Sequence, residues 1–435
     1  MNNIHSKLND FFKNKRVLIL GLGREGRSTL DILKNIDCTI GIADKNLVPT
    51  DELKEHEIYV GENYLDCLDK FDIIMKSPGI ALLDTVSGKI KAKITSQTDL
   101  LLRFCDNTII GITGTKGKST TSSLTCHILQ KCGKNAILIG NIGIPPLERI
   151  DEFSDDTIIV CEMSCHQLEY VKVSPDIAVL LNLFEEHLDH YVDFAAYRAA
   201  KENVYLYQDE SDMLIVNSDL VPENYKGELL TASLDKQADI YVTENELKVN
   251  GIVIPLNTIH TLLIGHHNFY NIGIAICIAL SQECSLNKIR EAIPSFCGLP
   301  HRLENVGTFG GVQYINDSIS TCPSTTIAAV HSFDEVDALI VGGMDRGIDY
   351  TELVNFINKC DIKHIILLPD SGYRIYDSLD KEKRTVYKAA DLADAVDFAK
   401  KHAKVRCLLS PAAASYGFYK NFEERGEHFR KLCKE

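Results

Sequence analysis

A chain of 435 residues is long enough to bury several hydrophobic cores, and its length predicts roughly two to four domains. The formal net charge of −15 argues against a general nucleic-acid-binding protein, although local clusters of Lys and Arg can still bind an anionic substrate. No apolar run is long enough to span a membrane, residues 1–14 are too polar for a signal peptide, and the 14 cysteines show no zinc-type spacing. We therefore expect a cytoplasmic protein that binds neither nucleic acid nor membrane. A monomer is the expected oligomeric state.

The first part of the chain has the pattern of a dinucleotide-binding fold. A strand is predicted over residues 16–20, and the glycine-rich loop 21–26, a helix and a second strand follow it. That second strand ends at Asp44, where such folds often hold a ribose. Residues 1–105 are thus predicted to form a Rossmann-like domain that binds a nucleotide.

The most specific motif lies at residues 111–120, which read Gly-Ile-Thr-Gly-Thr-Lys-Gly-Lys-Ser-Thr. An apolar strand precedes this loop and a helical pattern follows it, so backbone N–H groups at a helix N-terminus can surround phosphates. Lys118 can reach the outer phosphates, and the Ser119 hydroxyl is placed to bind Mg²⁺. The spacing departs from the standard Walker form, because Ile112 stands where that form has glycine.

Strands alternate with helical patterns through the rest of the chain, which predicts parallel sheets covered by helices. Alternating residues on both sides of Asn250-Gly251 predict a hairpin, and hence a small antiparallel sheet in the central domain. The fold class is therefore α/β in three domains: a Rossmann-like domain, a P-loop-type ATP-binding domain over residues 106–298, and a doubly wound domain over residues 299–435. The strands predicted in the last two domains are at residues 109–112, 158–161, 177–181, 213–216, 312–315, 338–341, 365–368 and 407–409.

A second group of reactive side chains follows the phosphate loop. Glu162 comes directly after a strand, His187 follows the next strand, and Lys201 falls in a helical pattern. Because the carboxyl ends of parallel strands meet along one edge of a sheet, the first two should lie near the loop. A carboxylate and an imidazole beside a triphosphate can complete the coordination of Mg²⁺. Taken singly, each of the three also has an ordinary structural explanation.

The phosphate loop, Glu162, His187 and Lys201 belong to a series of short motifs along the chain, and the order of these motifs resembles that in the Mur ligases of peptidoglycan synthesis. The loop 21–26, residues 140–143 and the segment 409–426 are similar to the branch that adds D-glutamate to UDP-N-acetylmuramoyl-L-alanine. The motifs shared with the whole family are the loop at Gly111–Ser119, Glu162-x-Ser164, Glu186-His187-Leu-Asp-His190, Tyr197-x-x-Ala-Lys201, His267-Asn268-x-x-Asn271, Leu299-Pro-His301-Arg302-x-Glu304 and Asn316-Asp317-Ser318.

The resemblance implies an ATP-dependent ligase of cytoplasmic peptidoglycan precursor synthesis. ATP would phosphorylate the free carboxylate of UDP-N-acetylmuramoyl-L-alanine, and the amino group of D-glutamate would attack the acyl phosphate. Magnesium and basic groups would offset the charge of the anions that must meet. Two Mg²⁺ ions are expected, and Lys201 is expected as a carbamate, which converts a cation into an anionic oxygen ligand.

The resemblance also implies a role for individual residues. Lys118, Glu162, His187 and Lys201 are expected to be catalytic. The metal ligands would be Ser119, Glu162, His187 and Lys201. ATP would contact Gly114, Thr115, Lys116, Gly117, Lys118, Ser119, Thr120, Asn271, Arg302 and Asp317. The UDP substrate would contact Gly23, Arg24, Glu25, Asp44, Asn141, Ser164 and His187. Glutamate would contact Arg346, Ser415 and Phe422.

Two departures from the D-glutamate-adding branch concern the acceptor. Ile319 stands where many of these ligases have lysine, and Arg346 lies near the position of a second expected lysine. An arginine can pair bidentately with a carboxylate, so Arg346 is the candidate for the charged contact with glutamate. L-glutamate stays open as an alternative acceptor.

Three other classes of protein fit part of the pattern. An NAD-dependent dehydrogenase could use the loop 21–26, but it would leave Lys118, His187 and Lys201 without a role. A non-catalytic nucleotide-binding regulator would not need the metal-binding group, which is complete in this sequence. Folylpolyglutamate synthase shares the phosphate loop but normally lacks a domain like that at residues 1–105.

Overall fold

The computed structural model describes residues 4–82, 87–141, 144–186, 190–263 and 265–435. The chain divides into two compact units: Met1–Ile259 with Phe269–Ile293, and His260–Asn268 with Pro294–Glu435. The first unit holds two sheets and the second unit holds one. The predicted α/β class with parallel sheets in three successive parts of the chain is confirmed.

The first sheet has five parallel strands in the order β3-β2-β1-β4-β5. Its strands are β1 (Arg16–Leu20), β2 (Thr39–Asp44), β3 (Glu57–Val60), β4 (Ile73–Lys76) and β5 (Ile94–Thr95). The helices of this region are α1 (Ile4–Phe12), α2 (Arg24–Leu33), α3 (Gly88–Lys91) and α4 (Gln97–Phe104). Because the strand order reverses at β1, the loop after β1 lies at the point where such sheets bind ligands.

The second sheet has nine strands in the order β14-β13-β12-β11-β10-β9-β6-β8-β7. Its strands are β6 (Ile109–Thr113), β7 (Ala136–Gly140), β8 (Ile158–Glu162), β9 (Ile177–Leu180), β10 (Met213–Asn217), β11 (Glu228–Ser233), β12 (Ile240–Val242), β13 (Glu246–Val249) and β14 (Ile252–Pro255). The helices that follow these strands are α5 (Lys118–Lys131), α6 (Cys165–Leu168), α7 (Phe194–Glu202), α8 (His267–Ser281) and α9 (Leu286–Ala292).

The predicted antiparallel hairpin is present, but it does not form a sheet of its own. Strands β12, β13 and β14 pair antiparallel, and β12 also pairs in parallel with β11. The hairpin therefore continues the edge of the nine-stranded sheet. Sequence alternation predicts a hairpin, but it carries no information about which edge the hairpin will join.

The third sheet, in the second unit, has the order β15-β16-β20-β17-β18-β19. All of its neighbouring strands are parallel except β15 and β16. Its strands are β15 (Glu304–Phe309), β16 (Val312–Asn316), β17 (Ala338–Gly343), β18 (His364–Asp370), β19 (Thr385–Lys388) and β20 (Arg406–Leu409). Its helices are α10 (Pro323–His331), α11 (Thr351–Lys359), α12 (Ser371–Ile375), α13 (Leu392–His402) and α14 (Phe422–Lys434).

The hydrophobic core of the first unit is shared between its two sheets. One cluster of buried side chains runs from Ile4 and Leu8 of α1 through Ile19 of β1 to Ile109 and Leu214 of the second sheet. This packing explains why the predicted domain 1–105 and most of the predicted domain 106–298 form one compact unit, whereas residues 260–268 and 294–298 belong to the second unit. The domain boundaries remain predictions. No helix among the described residues has the length and apolar character needed to cross a membrane.

Candidate active site

The phosphate loop connects the buried strand β6 to helix α5. Gly114 has φ +151°, and a Cβ atom at this position would lie 2.9 Å from the Cβ of Leu181. Gly117 has φ +87° and is the N-cap residue of α5. Both positions require glycine, because L-residues with a side chain rarely adopt such angles. The loop thus brings its backbone against the end of β9.

Asn182, which follows β9, holds the loop in place. Its carbonyl accepts a hydrogen bond from the N–H of Thr115 at 2.9 Å, and its Oδ1 accepts one from the N–H of Lys116 at 2.8 Å. Its Nδ2 donates to the Lys116 carbonyl at 3.0 Å. The sequence motifs gave no role to Asn182. The feature that could have identified it is an amide side chain two residues after β9, the buried strand that pairs with β6.

Lys118 and Lys201 converge on a single backbone oxygen. The Nζ atom of each lysine donates to the carbonyl of Gly114 at 2.9 Å. Lys118 Nζ also donates to the Thr115 carbonyl at 2.9 Å. Two ammonium groups on one acceptor repel each other, so this arrangement favours either a bound anion or the loss of one positive charge.

Lys201 lies on α7, and only 1% of it is exposed. Burial and the nearby Lys118 charge lower the pKa of Lys201 to about 7. Its ammonium lies 5.1 Å from the ring centre of Tyr197, whose hydroxyl is 2.9 Å from Thr115 Oγ1. Burial also lowers the pKa of Lys118. Among the described residues, no carboxylate forms an ion pair with Lys201.

Glu162, at the end of β8, is a buried carboxylate with one oxygen unpaired. Strand β8 pairs with β6, and 1% of Glu162 is exposed. Its Oε1 accepts from Asn141 Nδ2 at 2.7 Å, but its buried Oε2 has no hydrogen-bond partner among the described residues. A buried acceptor without a donor costs about 1–3 kcal/mol, and a cation at this oxygen would remove that cost.

The remaining ATP contacts predicted in the first unit lie at the start of α5 or against it. Asn271, on α8, is buried, and its Oδ1 accepts from Thr121 Oγ1 at 3.2 Å. A Cβ atom on Gly117 would lie 3.0 Å from the same Oδ1. Ser119 and Thr120 are partly exposed in the first turn of α5, and the exposed Lys116 forms an ion pair with Glu186.

His187, predicted as a metal ligand, lies outside the described residues. No group of three or more His, Cys, Asp or Glu side chains that could hold a metal occurs in the described part of the chain. Within the described part of the chain, a magnesium site here would draw on Glu162 together with hydroxyl, phosphate and water oxygens, and His187 stays a predicted ligand. Such oxygen ligands are those that Mg²⁺ prefers.

The predicted contacts with the UDP substrate divide between two places in the first unit. Asn141 and Ser164 flank the end of β8, where Ser164 caps α6 in a reciprocal arrangement with Gln167. Gly23 and Arg24 are exposed on the loop after β1.

Asp44 and Glu25 have internal roles as well. Both carboxylate oxygens of Asp44 accept backbone hydrogen bonds, from Leu22 at 2.8 Å and Asn46 at 2.9 Å, so Asp44 shapes the glycine-rich loop. Glu25 is partly buried, and burial raises its pKa to about 7.

In the second unit, Asp317 ties several loops together. It is buried, its Oδ2 accepts from Ser320 Oγ at 2.6 Å and Ser410 Oγ at 2.7 Å, and burial raises its pKa to about 6. Its Oδ1 accepts from the N–H of Leu303 at 3.2 Å, next to the exposed Arg302. The predicted contacts of Arg302 and Asp317 with ATP remain predictions.

The predicted glutamate contacts lie close together at the carboxyl ends of the third sheet. Met344 and Ala414 form an isolated β-bridge, so the loop that carries the exposed Arg346 runs beside the buried Ser415. Phe422 begins α14, and its carbonyl accepts from Ser318 Oγ at 2.8 Å.

The comparisons with known proteins agree with the motifs. Residues 112–279 match the model of the Mur ligase middle domain, and residues 15–96 match that of the MurD-like N-terminal domain of Mur ligases. The chain therefore belongs to the Mur ligase family, whose members use ATP to form amide bonds in peptidoglycan precursors. The predicted resemblance and the predicted class of enzyme are confirmed.

Full-length relatives indicate the branch of the family. The chain is 33% identical over 464 residues to the UDP-N-acetylmuramoylalanine–D-glutamate ligase of Clostridium tetani, covering 100% of both chains. It is also 33% identical to the ligase of that name from Clostridium kluyveri, with 97% of each chain covered. Among solved structures, the MurF ligase of Thermotoga maritima in complex with ADP matches with a TM-score of 0.58 and 18% identity, covering 98% of this chain and 96% of that chain.

Proposed function

We propose that the protein joins D-glutamate to UDP-N-acetylmuramoyl-L-alanine and converts ATP to ADP and phosphate. The substrates are those in the names of the full-length relatives. The observation that carries the chemistry is the convergence of Lys118 and Lys201 on the Gly114 carbonyl of the phosphate loop. The cation of Lys118 would offset the charge of a transferred phosphoryl group here, and the amine of Lys201 lies beside it on the same loop carbonyl.

The loop and Lys118 would hold ATP. Backbone N–H groups at the start of α5 would bind the β- and γ-phosphates, and Lys118 would exchange its bonds to loop carbonyls for bonds to phosphate oxygens. The substrate carboxylate would then attack the γ-phosphorus and release ADP. The amine of D-glutamate would attack the resulting acyl phosphate, and phosphate would leave with its P–O bonds intact.

The donor set fits magnesium. Glu162 offers an unpaired, buried carboxylate oxygen, and Ser119 offers a hydroxyl in the first turn after the loop. When bound, Mg²⁺ would offset the charge of the phosphates. His187 is the further proposed ligand, and a second ion would need Lys201 in an anionic form.

We also propose that Lys201 is carbamylated. Its amine is buried against the cationic Lys118, and only a neutral amine reacts with CO₂. The lowered pKa of Lys201 provides that neutral form near pH 7. The reaction forms an N–C bond and releases one proton, and it replaces a repulsive charge beside Lys118 with an attractive one.

The glycine-rich loop after β1 would bind the UDP part of the substrate, with Gly23 and Arg24 at its exposed face. Asn141, Ser164 and His187 would approach the muramoyl-alanine end. The protein would act in the cytoplasm, as its composition suggests, and it would do so as a monomer. These residue assignments go beyond family membership, and they depend on the identity of the substrate.

Phosphate release from ATP tests the proposal. Purified protein with Mg²⁺, ATP and UDP-N-acetylmuramoyl-L-alanine should release phosphate when D-glutamate is added. Addition of L-glutamate, lysine or diaminopimelate should give little release. Equal release without any acceptor would indicate a simple ATPase, and a greater response to L-glutamate would establish the alternative acceptor.

A further inference from the structure

Arg425 is a buried cation without an acidic partner among the described residues. It lies in the first turn of α14, and 1% of it is exposed. Its Nε donates to Ser318 Oγ at 3.0 Å, and its Nη2 donates to the carbonyls of Ser318 at 2.8 Å and Ala413 at 3.1 Å. Every one of these acceptors is neutral, so the positive charge of the guanidinium is not balanced by a described ion pair.

One nitrogen of this guanidinium, Nη1, is buried and makes no hydrogen bond to a described residue. A Cβ atom on Gly343 would lie 3.1 Å from Nη1, so the glycine leaves space beside this nitrogen. A buried donor without an acceptor costs about 1–3 kcal/mol and more when the donor is charged. An acceptor that arrives with a ligand would recover this free energy.

Arg425, Gly343 and Ser415 line a common cavity of about 300 Å³. The polar groups elsewhere in its wall already have partners: Asp391 caps α13 by accepting from the N–H of Asp394, and His428 Nδ1 lies 2.8 Å from the Tyr419 hydroxyl. The volume is at the small end of the range for ligand pockets. The cavity therefore suits a small molecule that brings a hydrogen-bond acceptor, preferably an anionic one, to the buried arginine.

We propose that Arg425 Nη1 and the Ser415 hydroxyl bind one carboxylate of the amino acid that the enzyme adds. This inference rests on the proposed function, which requires an acceptor with two carboxylates. The planar guanidinium is already oriented by Ser318 and Ala413, so little side-chain entropy is lost on binding. The buried Arg425 thus supplies a fixed charged contact, whereas Arg346 lies on an exposed loop.

A double-mutant cycle, in which Arg425 and the carboxylates of the acceptor are changed separately and together, tests this contact. The wild type and Arg425→Gln are compared with D-glutamate, with D-glutamine, which lacks the side-chain charge, and with D-isoglutamine, which lacks the α-carboxylate charge. We expect the wild type to prefer D-glutamate over one of these amides by kcat/KM, and Arg425→Gln to reduce that preference at least about tenfold. An arginine that only clamps the loops would lower kcat/KM for all three acceptors by one common factor, and that result would overturn the proposal.

Arg384→Gln is the matched control. Arg384 is also a buried arginine of the second unit, and its guanidinium donates to the carbonyls of Ile357, Asn358 and Cys360. It does not line the cavity of Arg425. Its loss should lower the melting temperature and leave the ratio between D-glutamate and its amides unchanged. A similar change of ratio in this control would contradict a specific role for Arg425.

A measurement on the wild type keeps the test independent of folding of the variant. With [¹³C]guanidino-labelled arginine, the NMR signal of Arg425 is assigned by its absence in Arg425→Lys. Binding of ADP with the glutamyl product should shift this signal, whereas ADP with UDP-N-acetylmuramoyl-L-alanine should not. An unchanged signal would overturn the proposal. If the wild type forms no product with either isomer of glutamate, the proposed function fails as well, whereas product with an unchanged acceptor ratio removes Arg425 alone.

Discussion

At the scale of single residues, the candidate active site is marked by buried and partly buried charged groups that, in the described part of the chain, lack an ion pair or leave an atom without a hydrogen-bond partner. Lys118 and Lys201 share one carbonyl oxygen, and Glu162 Oε2 is buried without a partner among the described residues. These are costs for the chain alone, and the proposed binding of phosphates and a metal would remove them. Perturbed and unpaired groups of this kind concentrate at functional sites.

Replacing Lys118 with alanine should lower kcat by roughly 100-fold or more, because its charge would stabilise the proposed phosphoryl transfer. Lys131→Ala, at the exposed far end of the same helix, is the control and should retain activity. Both should unfold close to the wild-type temperature. Near-normal turnover in a folded Lys118→Ala protein would remove the phosphate loop from the mechanism.

Lys201→Ala should be almost inactive, with a loss of roughly 100-fold or more. Formate or acetate at millimolar concentration should restore part of the activity, since a short carboxylate can occupy the place of the carbamate. Removal of bicarbonate and CO₂ should slow the wild type and leave the variant unaffected. Absence of both effects would show that Lys201 acts as a plain ammonium.

At the scale of elements, several strands with continuous apolar runs were predictable from sequence, whereas two short edge strands were not. β1, β6, β8 and β9 lie where predicted because buried parallel strands are apolar throughout. β3 and β19 are short, partly exposed edge strands whose sequences carry no such run. The pairing of β12 with β11 was also beyond local pattern, because it depends on a neighbour chosen by the whole sheet.

Individual glycines connect these elements to the site. Gly140 ends β7 with φ +103°, and a Cβ atom there would lie 2.2 Å from the carbonyl oxygen of Glu162. Gly133 has a similar φ of +90°, but a Cβ atom there would meet nothing within 4 Å. Alanine substitutions at the two positions therefore distinguish the free-energy cost of backbone strain from that of a steric clash.

Gly133→Ala should lower the free energy of unfolding by about 1–2 kcal/mol through strain alone. Gly140→Ala should lose clearly more, above about 4 kcal/mol, and should reduce activity because Glu162 must move. Urea unfolding and initial rates measure both effects. Equal losses of stability in the two variants, with full activity in Gly140→Ala, would contradict the described packing of β7 against β8.

The role of Arg425 shows the limit of sequence reasoning at long range. The segment 409–426 resembles the D-glutamate-adding branch, but the sequence pattern alone indicates no role for its Arg425. Its partners Ser318 and Ala413 lie 107 and 12 positions away along the chain, and the missing partner of Nη1 is visible only in three dimensions. Arg346, by contrast, was proposed from the resemblance to the family and remains a prediction.

At the scale of the whole molecule, three sheets follow one another in sequence but pack as two units. The motifs predicted the order of the sheets, because each begins with its own run of strands and helices. They did not predict the common core of the first two sheets, since local periodicity does not show which helix faces which sheet. The glycine-rich loop after β1 and the phosphate loop thus belong to one packed unit.

The central claim is that this Mur ligase adds D-glutamate to UDP-N-acetylmuramoyl-L-alanine. The most direct test is a single competition experiment with equal amounts of ¹³C,¹⁵N-labelled D-glutamate and unlabelled L-glutamate, with the product analysed by mass spectrometry. We predict a product that has gained one labelled glutamyl residue, with ADP formed in equal amount. A product with the unlabelled residue, or no glutamyl product at all, would contradict the account.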